Sequence, residues 1–65
     1  MNWDQVEGKW DAFKGQLRTK WAKLTDDDIE AGRGRRETLV GKIQERYGDA
    51  KDSIERELDR LLGKL

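Results

Sequence analysis

Apolar residues recur every three or four positions through the first third of the chain, with polar residues between them. Such positions share one side of an α-helix, because a helix completes a turn in about 3.6 residues. The pattern therefore predicts one amphipathic helix, with Asn2 as its N-cap. Its apolar stripe consists of Trp3, Val6, Trp10, Phe13, Leu17, Trp21 and Leu24.

A second helix is predicted to begin directly after Leu24. Thr25 can cap it, and the Asp residues at 26–28 then occupy its positively polarised first turn. Leu24 and Ile29 can pack together across the cap as a hydrophobic staple. Helix initiation explains the three acids better than a metal site does, because consecutive helical carboxylates point about 100° apart.

The segment Ala31–Arg36 contains two glycines and is predicted to end the second helix, with one glycine as a left-handed C-cap. A third helix follows, and Gly48 and Asp49 are typical of a C-cap that meets a new N-cap. A fourth helix then extends over 49–65. The apolar side of these two helices contains Leu39, Val40, Ile43, Tyr47, Ala50, Ile54, Leu58, Leu61, Leu62 and Leu65.

The apolar stripe stays in phase across Gly48, so one long helix over both segments is an alternative prediction. The molecule would then be an αα-hairpin of two long helices, and its exposed apolar seams would favour a dimer.

A sequence pattern also recurs at a distance of 33 residues. Gly8-Lys9-Trp10, Gly15 and Trp21 return as Gly41-Lys42-Ile43, Gly48 and Ile54. In a chain of 65 residues this echo predicts two similar helical units packed on each other, since neither half alone can bury a useful core.

The predicted fold class is all-α, in one domain that comprises residues 1–65. The chain contains no proline and no alternating apolar pattern of the kind found in strands. Hydrophobic residues make up 34% of the chain and charged residues 43%. This composition lies near that of disordered proteins, and five aromatic side chains favour folding.

Charge and residue usage exclude several classes of function. Fourteen basic and fourteen acidic side chains balance, so any polyanion site must be local. The chain has no Cys and no His, which excludes disulfides, thiol nucleophiles and the usual zinc ligands. We expect no enzyme activity and no cofactor. No secretion signal and no apolar run of about 20 residues is recognisable, which favours a cytoplasmic protein without membrane contact.

The turn at 32–36 is the one segment whose sequence has features of a ligand-binding site. Arg33, Arg35 and Arg36 precede a helix N-terminus, where backbone N–H groups and guanidinium groups can hold phosphate. Basic residues of the first helix could widen this polyanion contact. The competing interpretation is a polar turn whose arginines form salt bridges with Asp26, Asp27 and Glu37.

Small residues recur at steps of seven on the side of the first helix opposite its aromatic stripe. They are Gly8, Gly15 and Ala22. The first interpretation is a thin solvent-exposed face, where each glycine costs about 0.5–1 kcal/mol relative to alanine. The second is a close-packing face that a second helix or a partner approaches.

Two blocks of sequence carry a family resemblance: Leu24-Thr25-Asp26-Asp27-Asp28 and Leu39-Val40-Gly41-Lys42-Ile43-Gln44-Glu45-Arg46-Tyr47-Gly48. They resemble the CsbD-like family of small bacterial proteins, as do Gly8-Lys9-Trp10, Phe13-Lys14-Gly15 and Trp21. The resemblance extends to about Lys51. It implies a compact four-helix domain of two crosswise packed α-hairpins, similar to SAM-like folds, and a bacterial cytoplasmic protein of the general stress response. It implies no catalytic or ligand residues.

The chain departs from that family pattern at three positions. Gly32 replaces a larger apolar residue, Ala22 replaces a common glycine, and Ile54 replaces a smaller residue. The change at Gly32 is expected to loosen the packing of the second helix.

Three hypotheses of function follow. The first is a non-enzymatic stress-response protein that acts through its surface or its abundance, with a protein partner or a weak homodimer possible. The second is a nucleic-acid-binding module that uses the arginine turn. The third is a hydrophilic, partly disordered protectant.

Overall fold

The computed structural model describes residues 3–65, and this part of the chain is helical without strands. Its Cα trace measures 28 × 22 × 20 Å. The five helices are α1 (Trp3–Glu7), α2 (Trp10–Lys20), α3 (Asp26–Ala31), α4 (Arg36–Tyr47) and α5 (Lys51–Leu62). The all-α prediction is confirmed. The predicted cap at Asn2 lies outside the described residues.

The first predicted helix is divided in two, so the prediction of one continuous helix is wrong. The chain leaves helical geometry at Gly8 and Lys9, where the Lys9 N–H donates to the Val6 carbonyl at 2.9 Å. Glycine is a poor helix former, so the break at Gly8 costs little free energy. It lets Trp3 turn edge-on to Trp10 and Phe13, with ring centroids 6.2 and 5.5 Å away.

The start of α3 follows its sequence signals. The Thr25 hydroxyl accepts the Asp28 N–H at 3.1 Å, and the Asp28 carboxylate accepts the Thr25 N–H at 3.2 Å. This reciprocal pair is a capping box, and it confirms the predicted cap. It satisfies two backbone donors at a helix end that is partly buried.

Helices α4 and α5 are separate, so the alternative of one long helix is wrong. Gly48 ends α4 in the left-handed conformation with φ of 69°, which a residue with a side chain adopts only at a cost. The N-cap of α5 is Ala50 rather than Asp49, and its side chain makes no capping hydrogen bond. Ala50 is exposed, although its position in the apolar stripe predicted burial.

Gly32 serves a different purpose from the one predicted. Its φ is −88°, and Gly34 has no positive φ either, so neither glycine is the predicted left-handed C-cap. Gly32 is buried, and a Cβ atom at this position would lie 2.5 Å from the Leu39 Cβ. The end of α3 therefore approaches the backbone of α4 closely, instead of packing more loosely as the sequence comparison implied.

The core joins the five helices of the described chain: α1 packs against α2, α2 against α5, α5 against α4, and α4 against α3. The buried apolar residues are Val6, Trp10, Phe13, Leu17, Trp21, Leu24, Ile29, Leu39, Val40, Ile43, Ile54, Leu58, Leu61 and Leu62.

The 33-residue echo does not correspond to two equivalent structural units. Gly8 lies in the turn after α1, whereas its counterpart Gly41 lies inside α4. Gly15 lies inside α2, whereas Gly48 ends α4. The repeated apolar residues are buried in both halves, so the pattern records burial rather than a repeated fold.

Candidate functional site

Arg33, the first arginine of the predicted polyanion turn, is engaged within the chain. Its Nε donates to Glu7 at 2.7 Å, a second ion pair reaches Glu30 at 3.6 Å, and its guanidinium lies 5.8 Å from the Trp10 ring centroid. The hydrogen bond from Arg33 to Glu7 is the main reason that the pKa of Arg33 is raised. This cluster ties the α3–α4 turn to α1, and the Trp3 indole also donates to the Arg33 carbonyl at 3.0 Å.

Arg36 and Arg35 differ in their surroundings. Arg36 donates to Glu55 and to Asp59, both at 2.9 Å, and thereby links the start of α4 to α5. Arg35 is three-quarters exposed, and its one ion pair reaches Glu37 at 3.9 Å. The expected pairing with Glu37 is present, whereas the acidic partners of Arg33 and Arg36 are not the predicted Asp26 and Asp27.

The basic residues of α2 do not extend the arginine turn into a continuous patch. Lys14 and Arg18 both pair with Asp26, and Lys20 pairs with Glu57 at 3.5 Å. The hydrogen bond from Arg18 is the main reason that the pKa of Asp26 is lowered. Each of these three cations therefore has an acidic partner within the chain, and none of them joins the arginine turn.

Asp28 is the one buried charged side chain among the described residues, with 6% of its surface exposed. Arg46 donates to its carboxylate at 2.9 Å, and Thr25 donates a backbone N–H to the same oxygen. These hydrogen bonds, that from Arg46 above all, lower the pKa of Asp28. Arg46 thus joins the C-terminal end of α4 to the N-terminal end of α3.

The Asp28 interaction predicts a loss of stability in acid. A carboxyl group whose pKa is lower in the folded than in the unfolded state stabilises the folded protein at any pH above its unfolded pKa, which is 3.8 for Asp28. This stabilisation is lost as the pH falls through the pKa of the folded state. Asp28→Asn is expected to lower the free energy of unfolding by about 1–3 kcal/mol at pH 7. It should also flatten the pH dependence of stability below about pH 5. Urea unfolding between about pH 2 and 7 measures both effects.

The exposed neighbour Asp27 provides the control for this experiment, since it lies in the same helical turn. Asp27→Asn should leave the acid dependence close to that of the wild type. An Asp28→Asn variant with the wild-type acid dependence would contradict the assignment.

The small residues of α2 border a groove that sequence analysis did not identify as a site. Gly15 is exposed, and no atom of another element lies within 4 Å of the position a Cβ would take. No second helix of the described chain therefore packs closely on Gly15, and approach by a partner stays a prediction. The groove between α2 and α5 has a volume of about 590 Å³ and is lined by Ala12, Gly15, Gln16, Thr19, Lys20, Glu57, Arg60, Leu61 and Lys64.

Gly15 was the only signal in the sequence that pointed to this groove. Its charged residues lie on α2, on α5 and in the turn after α5, some 40 positions apart, and the pairing of α2 with α5 brings them together. Within residues 3–65 no group of three or more acidic side chains is placed to hold a metal ion. No helix in this part of the chain is long and apolar enough to cross a membrane.

Comparison with known proteins gives a consistent family match. The CsbD-like family model matches residues 4–56. The chain is 54% identical over 59 residues to the UPF0337 protein YjbJ of Escherichia coli O6:H1, which covers 91% of this chain and 86% of the relative. It is 53% identical over 58 residues to YjbJ of Salmonella typhimurium, with 89% and 83% covered. A UPF0337 protein of Rhodopseudomonas palustris is 54% identical over 59 residues, with 91% and 89% covered. No solved structure shows significant similarity.

Proposed function

This chain belongs to the CsbD-like family, and from that membership we propose a non-enzymatic role in the general stress response of the bacterial cytoplasm. The family match over residues 4–56 is the observation that carries the proposal. The chemistry of the described residues is in keeping with it. The two carboxyl groups with a shifted pKa, Asp26 and Asp28, have lowered values, opposite to the raised pKa of a general acid.

The protein acts through its folded surface, as a single domain of residues 1–65, and its partner is another protein or a second copy of the chain. Locally paired charges favour this class of partner over nucleic acid. Arg33 and Arg36 would have to leave their acidic partners to bind phosphate, and only Arg35 is largely exposed in the turn. Contact of these three arginines with a polyanion therefore remains the weaker alternative.

Complementation tests the proposed role. An Escherichia coli strain that lacks its YjbJ relative is exposed to heat, ethanol or high salt, and surviving cells are counted. We expect reduced survival without the relative and restored survival when this chain is supplied. Equal survival of deletion and parent strains, or no restoration by this chain, would contradict the proposal.

A variant that cannot fold separates action through the surface from simple protection by a hydrophilic chain. Phe13 is fully buried, so Phe13→Asp places a charge in the core and is expected to abolish folding. Loss of complementation by this variant at equal protein abundance supports a role of the folded surface. Full complementation would instead favour the protectant hypothesis.

A further inference from the structure

The groove between α2 and α5 has an open floor formed by small residues. Ala12 and Gly15 are exposed on α2, and the space above Gly15 holds no atom of another element within 4 Å. A bound chain can therefore approach the backbone of α2 closely. The volume of about 590 Å³ lies within the range of ligand sites, which is about 300–1,000 Å³.

The walls of the groove carry an excess of positive charge. Lys20 and Arg60 share one acid, Glu57, at 3.5 and 3.8 Å. Lys64 also lines the groove and forms no ion pair with the described part of the chain. Three cations thus face one carboxylate, in a protein whose overall charge is zero. This local excess favours an anionic occupant.

Gln16 contributes a hydrogen-bond acceptor that has no donor within the described chain. Its Oε1 is buried and accepts no hydrogen bond within residues 3–65, although Gln16 lines the groove. A buried acceptor without a partner costs about 1–3 kcal/mol. Rotation of the terminal amide torsion is soft, so the oxygen can turn toward a donor in the groove.

These features together select among anionic occupants. A peptide with Asp or Glu side chains supplies carboxylates for the cations and backbone N–H groups for Gln16. A nucleic acid supplies phosphates for the cations, but its N–H donors are on the bases, and no aromatic side chain lines the groove to stack on a base. We propose that the α2–α5 groove binds an acidic peptide segment of a partner protein, an inference that rests on the proposed function and names its partner class.

The test uses the whole chain labelled with ¹⁵N and a capped, Glu-rich peptide of about eight residues as the probe, which spans at most about 29 Å when extended and then keeps backbone N–H groups free to donate. Gly15→Leu fills the groove, and Gly41→Leu is its matched control, since Gly41 lies inside α4, does not line the groove, and a Cβ at its position would meet no atom of another element within 4 Å. Both substitutions replace a poor helix former with a good one, so both variants are expected to fold.

We expect saturable binding that shifts the side-chain amide resonances of Gln16 and weakens as salt increases. Gly15→Leu should weaken binding at least about tenfold, which is about 1.4 kcal/mol, and Gly41→Leu should leave it unchanged. Equal binding by Gly15→Leu would overturn the proposal, as would equal binding of a peptide with Gln in place of Glu. Tighter binding of single-stranded DNA in the same groove would overturn the proposal in favour of nucleic acid. Self-association of the wild type that Gly15→Leu abolishes would overturn it in favour of a second copy of the chain.

The outcomes also separate this inference from the proposed function. Complementation by the wild type with no peptide binding up to about 1 mM would overturn the groove proposal and leave the stress role standing. Peptide binding in the groove without complementation would overturn the stress role alone.

Discussion

Phe13→Ala is expected to lower the free energy of unfolding by about 3–5 kcal/mol. Phe13 is fully buried, and its ring lies 5.5 Å from Trp3 and 5.7 Å from Trp10 between centroids. Its removal leaves a cavity in the cluster that joins α1 to α2. A domain of this length has a stability of about 3–10 kcal/mol, so the expected loss is a large fraction of the total.

Urea unfolding followed by circular dichroism and by tryptophan fluorescence measures this loss, with coincident transitions expected for the wild type. Asp11→Ala is the control, because Asp11 is exposed on the same helix and its loss should cost less than about 1 kcal/mol. A loss below about 1 kcal/mol for Phe13→Ala would mean that the aromatic cluster is not packed, and would favour the protectant hypothesis.

Deletion of residues 57–65 is expected to abolish folding, although the family match ends at residue 56. The deletion removes Leu58, which is fully buried, together with Leu61 and Leu62, which are 8% and 7% exposed. Truncation of one buried leucine to alanine costs about 2–5 kcal/mol, so loss of all three costs about 6–15 kcal/mol, which is comparable to or larger than the whole stability of the domain. Circular dichroism and a red shift of tryptophan emission detect the unfolded chain.

Two milder changes provide the controls for this deletion. Removal of residues 64–65 alone should leave a cooperative transition, since Leu65 is only partly buried. Leu58→Met conserves volume and should cost less than about 1.5 kcal/mol, against about 2–5 kcal/mol for Leu58→Ala. A chain ending at residue 56 that still unfolds cooperatively would show that α5 is not required for the core.

Local signals in the sequence were sufficient to predict most of the helices. The spacing of apolar residues identified the buried side of each one, because burial of a helical stripe depends on positions three and four residues apart. Thr25 and Asp28 formed the expected capping box, and Gly48 ended α4 in the left-handed conformation. The capping box and the glycine C-cap each depend on residues that are close together in the chain, and for this reason both could be predicted without a structure.

The candidate sites depended on contacts between distant residues, and here the sequence predicted less. Arg33 pairs with Glu7, which is 26 positions away, rather than with the nearer Asp26 or Asp27. The turn that the sequence predicted as an anion-binding site therefore links α3 to α1 in the structure. The α2–α5 groove was visible in the sequence only as Gly15.

By itself, then, the sequence determined the all-α class, the apolar sides of the helices, two helix ends and the family. Only the tertiary structure decided the break at Gly8, the close approach of Gly32 to Leu39, the partners of the arginines and the groove beside Gly15. Helix formation is governed by residues within a turn or two of each other. Ion-pair partners, close approaches and grooves arise instead where helices that are distant in sequence meet in space.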